Sequence, residues 1–227
     1  MRIYRYRLIL TAILGIMLLA GCTQTQTGGA PTDVSKDDAI KLDGVQVREY
    51  KGEMLGSVDD FRENSIKGPQ TVDRTTYRLK VTGLVDNPKS YTYSQVASDH
   101  ANYEKVVQLD CVEGWSVKAL WRGVLVRDLM NEAGVRPSAT TVILRAVDGY
   151  STSMPLSYFK DNDILLAYSI NGVTLPAERG FPFQLVAEDK WGYKWIKWVD
   201  SIELSNDSSF KGYWEKRGYS NSGALNE

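Results

Sequence analysis

Two cysteines occur in the 227 residues, Cys22 and Cys111, and only Cys111 has the surroundings of a reactive group. It stands in Leu109-Asp110-Cys111-Val112-Glu113-Gly114-Trp115-Ser116, after an apolar run and before a glycine that permits a tight backbone path. A thiolate is a soft ligand suited to thiophilic metals. Protein partners for such a metal are scarce, because the chain has one histidine, His100, and no second cysteine near Cys111. That scarcity argues against a zinc or iron–sulfur centre built from side chains alone. A metal held here must bring most of its own ligands. A different chemistry would use the thiol as a nucleophile, with His100 as base and Asp110 as the orienting carboxylate. Its plainest competitor is a buried cysteine that packs as a small hydrophobe.

Cys22 has another fate. Arg2, Arg5 and Arg7 form a basic head, and Leu8 to Ala20 form an apolar run of 13 residues. Such a run is too short to cross a bilayer comfortably and has the proportions of an export signal. It closes in Leu19-Ala20-Gly21-Cys22, which is similar to a bacterial lipobox. The expectation is cleavage before Cys22 and lipidation of its sulfur, which leaves Cys111 as the lone thiol of an exported, membrane-anchored protein. Residues 1–21 are then a signal peptide and 22–40 a flexible polar tether. Residues 41–210 form the folded body and 211–227 a tail. Without the three head arginines, 24 basic side chains face 28 acidic ones. Nothing here forms the clustered basic surface that a nucleic-acid partner would want.

The elements that must position Cys111 read as a mixture of strands and short helices. Tyr77, Leu79 and Val81 alternate with Arg78 and Lys80 as a half-buried strand, and Val106 to Leu109 is a buried strand that delivers Cys111. Ile40 to Tyr50 reads as an edge strand. Asp60 to Pro69 is an ordered loop, and Tyr93 to Ala97 one helical turn. Leu125 to Ala133 puts Leu125, Leu129, Met130 and Ala133 on one face, followed by Gly134 and Pro137, and predicts a helix. Strands follow at Thr141 to Ala146, Ile164 to Ile170, Val173 to Leu175, Phe183 to Val186 and Val199 to Leu204. A short helix near Leu156 to Phe159 and an Asn171-Gly172 hairpin turn lie between them. Strands in this order, mainly antiparallel with few helices, predict an α+β fold.

Cys111-Val112-Glu113-Gly114-Trp115-Ser116 resembles the cysteine motif of the sulfite-oxidase-like molybdopterin-binding domains, closest to the bacterial branch of the methionine-sulfoxide reductase catalytic subunit. The likeness continues through Trp121-Arg122-Gly123-Val124, Asp148-Gly149-Tyr150, Asn171-Gly172, Leu175-Pro176, Gly180-Phe181-Pro182 and Trp191 to Trp198, in the family's order over roughly residues 60 to 205. The resemblance implies that fold, with mixed and antiparallel sheets, and a Mo-molybdopterin cofactor. It implies Cys111 as the thiolate on molybdenum, with the pterin supplying the sulfurs that the chain lacks. It implies Gly192, Tyr193 and Lys194 as the loop around the pterin phosphate, with Lys194 as countercharge. Arg179 and Lys197 would be pterin contacts, and Arg62 and Asn64 the family's N-terminal cofactor segment. Arg122 would orient an oxyanion or sulfoxide oxygen of a small substrate. No haem motif is present, so electrons are expected to pass through a separate partner.

Three positions depart from the family. Gln184 replaces a phosphate-binding arginine, Ala146 stands where the reductase branch has a threonine, and Arg5-Tyr6-Arg7 lacks the twin-arginine pair of cofactor-loaded exports. A binding lipoprotein of the same fold, without its cofactor or with an altered one, is therefore the alternative to an oxidoreductase.

Overall fold

The computed structural model describes residues 29–34 and 44–227. The export signal, Cys22 and most of the tether lie outside the described residues. The strands are β1 (Thr32–Val34), β2 (Glu49–Tyr50), β3 (Glu53–Met54), β4 (Leu79–Gly83), β5 (Lys89–Tyr91), β6 (Asn102–Asp110) and β7 (Ser116–Leu125). They continue as β8 (Thr141–Ala146), β9 (Ser151–Pro155), β10 (Leu165–Ile170), β11 (Val173–Thr174), β12 (Gln184–Val186) and β13 (Val199–Ser205).

Two sheets carry the fold. One runs β1-β6-β7-β10-β11 with β12 also on β10, and the other runs β5-β4-β13-β8-β9. Pairing is antiparallel throughout except between β4 and β13. One core draws on both sheets, with Val107, Leu109, Trp121 and Leu166 from the first and Leu79, Val81, Leu144 and Ile202 from the second. β10 is buried at all six positions, which explains its unbroken apolar run: it has no solvent face that would call for alternation.

Among the described residues three short helices, Tyr93–Asp99, Val126–Ala133 and Leu156–Asp161, complete the α+β fold that the strand order predicts. In the second of them Val126, Leu129, Met130 and Ala133 are buried, and Gly134 ends it in the left-handed conformation with φ 74. Leu125 is its N-cap rather than its first residue. The first helix starts at a capping box, in which Thr92 accepts from the Gln95 N–H and Gln95 accepts from the Thr92 N–H.

Four differences from the sequence reading matter. β7 is a ten-residue strand that the periodicity hides, because buried Leu120 and Val124 stand on the face that carries Ser116, Lys118 and Arg122 and so break the alternation. Ser151 to Pro155 is a strand rather than the approach to a helix. Within the stretch read as tether, Thr32–Val34 is an edge strand on the start of β6. The edge strand expected over Ile40 to Tyr50 is, in its described part, only the two-residue β2, turned back onto β3 at Lys51 and Gly52.

Candidate active site

β6 and β7 form a long antiparallel hairpin, paired from Tyr103↔Gly123 to Asp110↔Ser116, and Cys111 to Trp115 is its connecting loop. The loop is closed from within: the Cys111 N–H donates to the Trp115 carbonyl at 2.9 Å, and the Gly114 N–H donates to the Cys111 carbonyl at 3.0 Å. Gly114 sits at φ 83, a conformation that side chains with a Cβ rarely adopt. The thiol is therefore held in the loop of a long, continuously paired hairpin. It is 4% exposed, and the Asn64 amide donates toward its sulfur at 3.6 Å. Burial pushes the thiol pKa up and the Glu113 carboxylate adds to that, while the Glu113 backbone N–H, the Asn64 hydrogen bond and Arg62 pull it down. In the bare protein the net direction is upward, so a stable thiolate needs a cation or metal beside it.

Two loops close around this hairpin. Residues 61–66 bring Arg62, Asn64 and Ser65, and the 3-10 turn Gly192–Lys194 comes from the opposite side. Trp121 of β7 seats both, with its ring 5.8 Å from Phe61 and 5.6 Å from Trp195. Gly192 lies against the hairpin so closely that an added Cβ would meet Leu109 Cδ2 at 3.3 Å and Cys111 Cα at 3.5 Å. Glycine there is what lets the loop reach the thiol.

The space beside Cys111 has two sides. The larger is an open cleft of about 720 Å³ whose lining includes Cys111, Glu113, Asp148, Tyr150, Tyr193, Trp214 and Tyr219. The smaller, about 360 Å³, is lined by Arg62, Asn64, Cys111, Arg179, Gln184, Gly192 and Lys197 among others. Cations gather on the smaller side. Lys197 donates to Glu63 at 2.6 Å, Arg179 pairs with the same carboxylate at 3.6 Å, and the Arg62 carbonyl accepts from Arg179 at 3.4 Å. Burial lowers the pKa of both Lys197 and Arg179, and Glu63 counters it for both.

The structure thus brings together Cys111, Asn64, Arg62, Arg179, Gly192, Tyr193 and Lys197. It corrects two expectations. Lys194 is not an available countercharge: it is fully buried, donating to Glu215 at 2.6 Å and to the Ser153 carbonyl at 3.0 Å. Arg122 is not at the site: it lies near the far end of β7, bonded to Glu104 across the β6–β7 ladder. His100 is remote as well, with its ring nitrogens on the Gln95 carbonyl and Glu132, while Asp110 accepts from Gln108. A Cys111–His100–Asp110 arrangement does not form.

Four participants escaped the sequence reading. Glu63 lay within a quoted loop, but its charge gave no reason to place it among cations. Trp214, Glu215 and Tyr219 belong to a stretch read as a tail, and what ties it to the site, Glu215 on Lys194 and Tyr219 on Tyr193, lies 21 residues away or further, where no local pattern points. The aromatic density of Tyr213, Trp214 and Tyr219 was the available signal.

The donor set fits a metal that arrives with its own ligands. Among the described residues no group of three or more His, Cys, Asp or Glu side chains can hold a metal ion, yet a buried thiol faces a cleft with a cationic flank. The oxidoreductase molybdopterin binding domain profile matches residues 66–214. The chain is 37% identical over 152 residues to the oxidoreductase YuiH of Bacillus subtilis (strain 168), covering 66% of this chain and 76% of that one. It is 32% identical over 152 residues to the protein-methionine-sulfoxide reductase catalytic subunit MsrP of Gluconobacter oxydans (strain 621H), covering 60% of this chain but only about half (49%) of the relative. Among solved structures, the sulfane dehydrogenase SoxCD of Paracoccus pantotrophus shares the fold, with a TM-score of 0.59 and 23% identity over 62% of this chain and 41% of that one.

Proposed function

The chain belongs to the oxidoreductase molybdopterin-binding domain family, and we propose that it is an extracytoplasmic, lipid-anchored enzyme that moves an oxygen atom to or from a small substrate and exchanges electrons with a separate protein partner. A bound molybdenum–molybdopterin centre supplies the two-electron oxo-transfer chemistry. The observation that carries the reading is the buried thiol of Cys111 at the junction of a cationic cavity and an open cleft, the one free thiol among the described residues.

The chain's own residues divide the work. Cys111 supplies the soft ligand, and Asn64 orients its sulfur. Arg62, Arg179 and Lys197 provide positive charge for a phosphate-bearing cofactor, and Gly192 lets the backbone approach it. Tyr193 stiffens the same loop, accepting at its carbonyl from the Tyr150 hydroxyl at 2.5 Å and donating from its own hydroxyl to the Ser220 carbonyl at 2.9 Å. Phe61 and Trp115 line the smaller cavity beside the thiol, and Phe61 packs edge-to-face on both Trp115 and Trp121. The anchor rests on Leu19-Ala20-Gly21-Cys22, and the electron partner on the absence of any haem motif in the sequence and on the name of the MsrP relative, a catalytic subunit.

The test is the molybdenum and pterin content of protein purified from its own host, with Cys111→Ser beside it. Near-stoichiometric molybdenum and pterin are expected in the wild type. The serine variant keeps the fold, because its side chain is nearly isosteric, but loses activity and changes the metal spectrum, since a hydroxyl is a hard and weakly acidic replacement. In the loaded wild type Cys111 resists alkylation. Free alkylation, or full turnover by Cys111→Ser, would sink the assignment. Intact-mass analysis of the same sample tests the anchor, and an unmodified Cys22 counts against it. A binding lipoprotein of the same fold is the second reading. Gln184 favours it, being buried on the cationic cavity with no charge of its own, and native protein without molybdenum would establish it.

A further inference from the structure

The open side of the cleft is closed by the C-terminal segment, which folds back over Gly192–Lys194. Three contacts pin it there. The Lys194–Glu215 pair at 2.6 Å has no exposure at either side chain, the Trp191 N–H donates to the Gly223 carbonyl at 2.9 Å, and the Leu225 N–H donates to the Asp189 carbonyl at 3.1 Å. Gly223 lies so close that an added Cβ would meet Lys194 Cγ at 2.7 Å. A buried ion pair leaves little freedom for the segment to swing away, since opening it would take Glu215 from the Lys194 ammonium.

That anchorage presents a continuous set of rings to the cleft. Tyr219 packs 5.1 Å from Tyr193 and 5.3 Å from Trp214, and Tyr213 joins Trp214 at 5.3 Å to Tyr150 at 5.8 Å. Tyr219 remains 39% exposed although it lies in this cluster, and Val112, next to the thiol, is 44% exposed. Apolar surface therefore stays open where a substrate must pass. Three charged side chains line this side, Glu113, Asp148 and Lys197, and the lysine is already paired with Glu63. The two lysines nearby are already matched, Lys194 by Glu215 and Lys197 by Glu63. An inorganic oxyanion entering here meets two carboxylates and no unmatched lysine. An uncharged organic molecule avoids that repulsion and gains contact with the rings.

We propose that the C-terminal aromatic wall, Trp214 with Tyr219, is the specificity element of the cleft, and that it receives the apolar body of an uncharged organic substrate while disfavouring inorganic oxyanions. The proposal deepens the oxo-transfer reading above and rests on the same site, but it concerns only what binds.

The experiment is calorimetric titration of the full-length protein from its own host with two probes that differ in charge and body, methyl phenyl sulfone and sulfate, with molybdenum content measured on each sample. The sulfone is expected to bind and sulfate at tenfold excess not to compete. Tyr219→Ala should weaken the sulfone by roughly tenfold, the scale of one lost ring contact together with its apolar area, while Tyr219→Phe stays within about twofold because the ring is kept. Trp214→Phe serves if Tyr219→Ala fails to fold, with a weakening of several-fold expected. Sulfate that binds as tightly as the sulfone would overturn the proposal. So would sulfone affinity unchanged in Tyr219→Ala, or in Trp214→Phe where that variant serves. Protein without molybdenum that still binds the sulfone through Tyr219 would refute the cofactor reading and leave this one standing.

Discussion

Three lysines show how far environment outweighs residue type. Lys105 pairs with Glu188 away from the cleft, Lys197 stands at the cavity beside Glu63, and Lys194 is sealed against Glu215. By sequence Lys194 and Lys197 are equivalent basic residues of one motif, Trp191-Gly192-Tyr193-Lys194-Trp195-Ile196-Lys197-Trp198. Their substitutions should separate cleanly. Lys194→Ala strands the Glu215 carboxylate in the interior and should cost about 3–5 kcal/mol. The double variant Lys194→Met/Glu215→Leu should recover most of that, because an apolar pair of similar volume avoids the desolvation cost. Lys197→Ala should cost little stability, since its partner Glu63 is partly exposed, but should lower pterin occupancy by removing a charge-assisted contact. Denaturant unfolding with pterin analysis checks all three. Equal stability of Lys194→Ala and wild type would return Lys194 to the phosphate.

At the scale of elements, the β6–β7 hairpin fixes the thiol, and the helix Val126–Ala133 is tied to its surroundings by two ion pairs, Arg127 with Asp163 and Glu132 with Lys89. Glu132 accepts from Lys89, the first residue of β5, and from His100 just after the first helix, both at 3.0 Å. The Lys89 hydrogen bond, with help from Tyr91 and His100, holds the Glu132 carboxyl down at about 2. Its folded pKa lies below the ordinary glutamate value near about 4.3, so its contribution is present above that value and is lost as the pH falls from about 5 through 2. The Glu132 side chain is 43% exposed, which screens the interaction to about 1 kcal/mol or less. Glu132→Gln should accordingly lower Tm slightly at pH 7 and make no difference near pH 2. Melting curves at both pH values check this, and a gap that persists at pH 2 would contradict it. The β1 strand adds a geometric point. It pairs at Asn102 to Glu104, the end of β6 away from Cys111, so the chain enters the fold far from the cleft.

For the whole molecule, the final residues are part of the catalytic domain's structure. Ending the chain after Phe210 would remove Glu215, Trp214 and Tyr219 and leave Lys194 with only the Ser153 carbonyl. An unmatched buried ammonium at about 3–5 kcal/mol, with roughly 2–4 °C per kcal/mol for a domain of this size, predicts a Tm lower by about 10 °C. Adding Lys194→Met to the shortened chain should restore part of the loss. Calorimetry of the two shortened chains beside the full-length protein decides it, and a full-length Tm in the simple truncation would show that the segment is only a tail.

Local signals in the sequence were enough for the α+β class, for the helix near 126–133, for most strands, and for Cys111 as the chemical centre. Each depends on neighbours along the chain: a period, a cap, a turn glycine, a lone soft donor. The motif around Cys111 and the Gly192 loop were also legible, and the domain match and the relatives place them in the molybdopterin-binding family. What the tertiary structure decided depends on residues far apart. It assigned Lys194 to Glu215 and Lys197 to Glu63, removed Arg122 to the far end of a ladder, separated His100 from Cys111, and turned a tail into a wall of the cleft. Charge pairing and burial are properties of proximity in space, and a linear pattern carries them only when the partners are close in sequence. The pairs that shape this site are 21 to 134 residues apart.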